Sequence, residues 1–172
     1  MANTYVKIAT VTVGAGGQAS IDFSSIPATY TDLKVVLSLR SSVAAAQDRI
    51  LIAFNGLTTN YSLTYLMGDG ASASSGTRAA FGDNMAGYID AASNTASVFA
   101  STEIYIPSYL SANNKSVSIE SVHEDNATTG RAILLAGLWS SSAAINRLTF
   151  TPASGPNFTQ YSMATLYGIK SS

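Results

Sequence analysis

Between Leu33 and Leu39 the side chains at 33, 35, 37 and 39 are all aliphatic. A two-residue apolar period is the mark of a β-strand with one face in a core, because successive side chains leave a strand on opposite sides. The opposite face, Lys34, Val36, Ser38 and Arg40, carries less charge than a face over water needs. The same period returns along most of the chain and restricts it to an all-β fold. Tyr5 to Val13 reads as a strand, broken by the glycines at 14–17. Ala19, Ile21 and Phe23 follow on one face, so the two segments could form a hairpin. Further strands are expected over Arg49–Asn55, Tyr61–Met67, Val98–Ile106, Lys115–His123, Ile145–Pro152 and Tyr161–Ile169. The nearly continuous apolar run Arg131–Trp139 predicts a central strand buried on both faces. The segment 41–48 reads as a loop or one short helical turn.

These alternating segments add up to about eight or nine strands, with turns at short spacing and no convincing amphipathic helix. The expected architecture is an antiparallel β-sandwich, a jelly roll or a related Greek key, as a single domain over 1–172. The stretch 68–87 is rich in glycine and small residues and reads as a long exposed loop running on to about residue 97. No fixed repeat suggests a propeller or solenoid.

Composition narrows the function. Charged residues are 11% of the chain, against roughly 25% in ordinary globular proteins. With 9 Tyr, 6 Phe and a Trp, the chain does not have the composition of a disordered one. The net charge of -1 and the absence of a basic cluster argue against nucleic acid or an anionic membrane as partner. There is no cysteine for a disulfide, a catalytic thiolate or a soft-metal site. That fits folding in a reducing cytoplasm. The first residues alternate like a strand and do not read as a signal peptide, and no apolar run is long enough to span a bilayer.

No motif announces chemistry. The lone histidine, His123, lies beside Glu120, Glu124 and Asp125 and reads as part of a solvated turn rather than a general base or ligand. No G-x-S-x-G elbow occurs, and no spacing selects a glycosidase pair among Asp69, Asp83, Asp90 and Glu103. The turns at 68–70, 82–84 and 124–126 contain oxygen ligands but do not match a calcium loop. No cofactor, metal or catalytic residue is expected. Tyr61, Tyr65, Tyr88, Tyr105, Tyr109 and Trp139 could form a sugar platform, although core and subunit interface are the preferred reading.

Taken together, the segments YVKIATVTVGAGGQASIDFSSIPATYTDLKVVLSLRSS, YSLTYLMGDGASASS, TEIYIPSY, AGLWSSSAAINRLTFTP and QYSMATLYGIKSS resemble a family of small β-sandwich virion surface proteins of tailed bacteriophages, of the marine and cyanophage type. The resemblance covers essentially the whole chain. It implies a capsid decoration (cement) protein, a homotrimer on the outer shell that bridges major capsid subunits. The alternative is a tail or head-fibre module that binds host glycans. The contact residues expected from exposure are Asn3, Thr4, Tyr5 and Lys7 at the start of the chain, and Asp69 and Arg78 in the 68–87 stretch.

Overall fold

The computed structural model describes residues 4–78, 84–124 and 130–170. Among them are twelve strands and no helix: β1 (Tyr5–Thr12), β2 (Ile21–Phe23), β3 (Asp32–Leu39), β4 (Gln47–Phe54), β5 (Tyr61–Gly68), β6 (Ala73–Arg78), β7 (Met85–Asp90), β8 (Ala100–Ile106), β9 (Lys115–His123), β10 (Arg131–Trp139), β11 (Leu148–Pro152) and β12 (Met163–Ile169). The period-2 reading holds where it was strongest. In β3, Leu33, Val35, Leu37 and Leu39 are buried, and in β9 burial alternates residue by residue.

The strands form two antiparallel sheets, ordered β1-β12-β3-β8-β9-β10-β5-β6 and β2-β11-β4-β7. Four antiparallel pairs, β1 with β12, β2 with β11, β3 with β8 and β4 with β7, make one long two-stranded ribbon. Folding that ribbon back and forth between the sheets gives the interleaved order of a jelly roll. Two hairpins are inserted into it. β5–β6 interrupts the β4-to-β7 passage and β9–β10 the β8-to-β11 passage, and both extend the larger sheet beyond β8.

Several local expectations change. The 14–17 turn does not close a hairpin, because β1 pairs with β12 and β2 with β11 in the other sheet. No helical turn occurs at 41–48. The expected long loop contains β6 and β7, while residues 79–83 lie outside the described ones. β6 is exposed on both faces, so it has no apolar alternation to read. β7 is mostly buried on both faces, which also erases the period. Nor is β10 buried on both sides. Ile133, Leu135 and Trp139 face the core, but Ala132, Leu134 and Ala136 are exposed.

The core lies between the sheets. Ile21, Phe23, Ile50, Ile52, Leu148 and Phe150 of the smaller sheet face Leu33, Val35, Ile104, Ile119, Leu135 and Leu166 of the larger one. Each such side chain removed from water contributes about 1.5–3 kcal/mol. An aromatic cluster closes one part of the core. Phe54 meets the edge of Trp139 at 5.4 Å between centroids, and Tyr61 stacks on Trp139 at 6.4 Å. The Tyr61 hydroxyl accepts the Phe54 N–H at 2.8 Å and donates to the Leu57 carbonyl at 3.1 Å. Tyr61, Tyr109 and Trp139 are thus core residues, whereas Tyr105 is exposed and Tyr65 and Tyr88 are partly buried. Where β7 crosses β9, Gly87 adopts φ +129 beside a register shift in the β4–β7 pair. A Cβ there would collide with Ser121 Oγ, so only glycine permits the approach. That hydroxyl donates to the Tyr88 carbonyl at 3.1 Å and ties the sheets together.

Candidate interaction surface

The face of the larger sheet that points away from the core is laid out by strand register. One row runs Ser75, Leu66, Leu134, Glu120, Glu103, Val36, Thr165, Thr10 across all eight strands. The next row runs Thr77, Thr64, Ala136, Ser118, Tyr105, Lys34, Tyr167, Lys7. On the other side lie Ala73, Gly68, Ala132, Val122, Ser101, Ser38, Met163 and Thr12. Most of these side chains are small, hydroxylic or apolar.

The face has two parts. Over β5, β10 and β9 it is greasy: Leu66 is 57% exposed, Leu134 50% and Val122 48%. Leu66 and Leu134 sit directly opposite one another. The central part is polar. Lys34 Nζ lies 2.6 Å from Glu103 Oε2, and that hydrogen bond raises the lysine pKa above its ordinary value. Glu120 stands opposite Glu103, a like-charge pair that Lys34 offsets. The Tyr105 hydroxyl donates to Asp32 Oδ2 at 2.7 Å, and its pKa is raised by that bond. Tyr5, Lys34, Glu103, Tyr105, Ser118 and Glu120 line a shallow groove here.

Lys34, Val36 and Ser38 are half-buried on this face, flanked by the outward side chains of β8 and β12. Arg40 does not share it. The chain leaves the sheet after Leu39, and the Arg40 guanidinium turns inward to the carbonyls of Asn94, Thr95 and Val98.

The predicted contact residues fall at opposite margins. Thr4, Tyr5 and Lys7 are exposed at the β1 edge, while Asn3 lies outside the described residues. Asp69 is in the β5–β6 turn and Arg78 ends β6 at the far edge. Seven strand spacings separate β1 from β6, roughly 34 Å. The two groups therefore do not form one patch. Only Tyr5 reaches the central groove. Asp69 acts within its own turn. Its Oδ1 accepts the N–H groups of Ala71 at 3.0 Å and Ser72 at 2.8 Å, and these bonds lower its pKa. The exposed Leu66, Leu134 and Val122 were not among the predicted contacts. The apolar run of β10 was the nearest signal, but it was read as burial on both faces, whereas Leu134 is exposed.

His123 is not in a solvated turn. It ends β9 on the inward parity of Val117, Ile119 and Ser121, and its side chain is fully buried. Nδ1 lies 3.6 Å from Asp90 Oδ1, an oxygen that accepts from Asn94 Nδ2 at 2.5 Å. Neither ring nitrogen makes a hydrogen bond. Burial closes this imidazole to a substrate in solution. The carboxylates considered for hydrolysis are dispersed: Asp69 in a turn, Asp90 in the core, Glu103 on the outer face, and Asp83 outside the described residues. Among the described residues no group of three or more His, Asp or Glu side chains could hold a metal ion. Gly82, Asp125 and Asn126 of the possible calcium turns also lie outside the described residues. Among the described residues no helix is long and apolar enough to cross a membrane.

No protein-family model, curated protein or solved structure matches this chain.

Proposed function

We propose that this protein is a structural component of a phage particle, a capsid decoration protein that binds the major capsid protein through the outer face of its larger sheet. The observation that carries this reading is the greasy half of that face. Leu66, Leu134 and Val122 stand together and largely exposed, on a chain with few charges to keep such a surface in water. Burying the three against a partner is worth about 1.5–2 kcal/mol each. Repetition over a particle makes modest contacts sufficient, since neighbouring copies are held at fixed spacing. The mechanism is mechanical: contacts across capsomer boundaries resist the outward pressure of packaged DNA. The jelly-roll sandwich and the sequence resemblance to phage surface proteins fit this role.

Quantitative mass spectrometry of purified particles tests it. Hundreds of copies per particle are expected, and complete absence would overturn the reading. The double substitution Leu66→Glu with Leu134→Glu should weaken particle binding at least about tenfold while leaving thermal stability unchanged.

A second reading rests on the groove between Tyr5 and Tyr105, where aromatic rings and carboxylates lie together as sugar-binding sites require. In that case the protein is a tail or head-fibre module. It would then occur in only a few dozen copies, and Tyr105→Ala would abolish binding on a glycan array.

A further inference from the structure

Two carboxylates on the outer face share one cation. Glu103 and Glu120 are direct partners on β8 and β9. Like charges directly opposite one another weaken a sheet. Lys34 acts on both, but its ammonium is bonded to Glu103 at 2.6 Å. Glu120 is exposed, and among the described residues its carboxylate makes no hydrogen bond or salt bridge. The site is left with an excess negative charge at Glu120.

Glu120 also stands on a boundary. On one side it lines the groove that holds Tyr5, Lys34, Glu103 and Tyr105. On the other it lines an apolar trough with Leu66, Val122 and Leu134. Strand register puts the two in line. Leu66 is opposite Leu134, Leu134 opposite Glu120, and Glu120 opposite Glu103. Three strand spacings separate Leu66 from Glu103, roughly 14 Å, a span that one short segment of chain can cover.

We infer that the occupant of this face is a polypeptide segment carrying a lysine or arginine beside aliphatic side chains, with its cation on Glu120 and its apolar residues on Leu134 and Leu66. Charge complementarity selects this chemistry. Two carboxylates against one lysine call for a second cation, and the exposed Tyr5 and Tyr105 of the same groove add ring faces that attract one. A metal ion is not selected, since among the described residues no three such ligands converge. Nucleic acid and anionic lipid would meet like charge. A small free amine would leave the trough uncovered. A basic residue brings its charge on an aliphatic stem, and its neighbours in the chain fill the trough. The inference rests on the reading of the outer face as a docking surface, and it defines the partner's chemistry without requiring a capsid protein.

The test uses the full chain, with leucine and valine methyls labelled for NMR, and three short peptides blocked at both ends. The first reads leucine, serine, leucine, serine, lysine. The second has glutamate in place of the lysine, and the third has serine in place of both leucines. The first should shift the Leu66 and Leu134 methyls and bind about five- to tenfold more tightly than the second, a preference that about 1 M salt removes. It should also bind at least about tenfold more tightly than the third. Glu120→Gln should remove most of the charge preference, and Glu120→Lys should reverse it. Glu120→Gln should leave the free protein at least as stable to urea, because it relieves the repulsion from Glu103. A loss of stability would make Glu120 a structural group and overturn the inference. Leucine peptides that bind without regard to charge would overturn it and leave the docking face standing. No methyl shift with any peptide up to about 10 mM would overturn both.

Discussion

Replacing Arg40 by methionine should remove the clamp that holds the segment between β7 and β8. That segment, residues 91–99, has no regular secondary structure. Arg40 Nη1 donates to the carbonyls of Thr95 at 2.8 Å and Val98 at 2.9 Å, and Nη2 donates to that of Asn94 at 2.9 Å. The residue is only 7% exposed, so little water is present to replace the lost donors. A hydrogen bond involving a charged group contributes about 1.5–3 kcal/mol. Three bonds from one guanidinium share one charge and one entropy cost, so the lower bound for each is appropriate, giving about 4.5 kcal/mol in all. Domains of this kind are stable by about 5–15 kcal/mol, so the loss is large but survivable. Arg40→Lys keeps the charge but not the planar fork, and should lose about half as much. Urea unfolding measures both, and the dependence on urea should keep its slope. Hydrogen exchange should show the amides of 94–99 opening first. A loss under about 1 kcal/mol for Arg40→Met, with exchange unchanged, would refute the clamp.

Gly87→Ala combines a forbidden φ with a Cβ driven into Ser121 Oγ. It should cost about 2–4 kcal/mol by thermal or urea unfolding, and Ser121→Gly in the same chain should recover the steric part alone. Burial raises the pKa of Tyr61 and of Tyr109. Because the folded values lie above the unfolded one, their stabilisation is intact below about pH 10 and is lost as pH rises further. Tyrosinate absorbance should accordingly rise together with loss of the β-sheet signal, and a full tyrosine titration that precedes unfolding would contradict this. Gly76→Val should displace the Tyr65 ring and destabilise the β5–β6 hairpin by about 1 kcal/mol, read as faster exchange of the β6 amides.

Strand identity was determined locally. In β3, β8 and β9 the aliphatic residues at every second position could be satisfied only by a half-buried strand, and that requirement is met within a few residues. At Asn55-Gly56, a dipeptide that favours tight turns, both residues adopt positive φ. The sandwich class followed from these segments alone.

Tertiary structure decided the partners. β1 pairs with β12 from the other end of the chain, and nothing in either segment specifies that choice. It is set by the folded ribbon as a whole. β6 became a strand because β5 offered it an edge, against a composition that favoured a loop. His123 was carried into the core by the parity of β9, although its neighbours in sequence are acidic and polar. The candidate surface was half legible. The apolar residues on both sides of β10 predicted burial on both faces, but the smaller sheet covers only one of them. A sequence records how greasy each face of a strand is. Which face lies against the rest of the chain, and which faces outward, depends on where the other sheet ends.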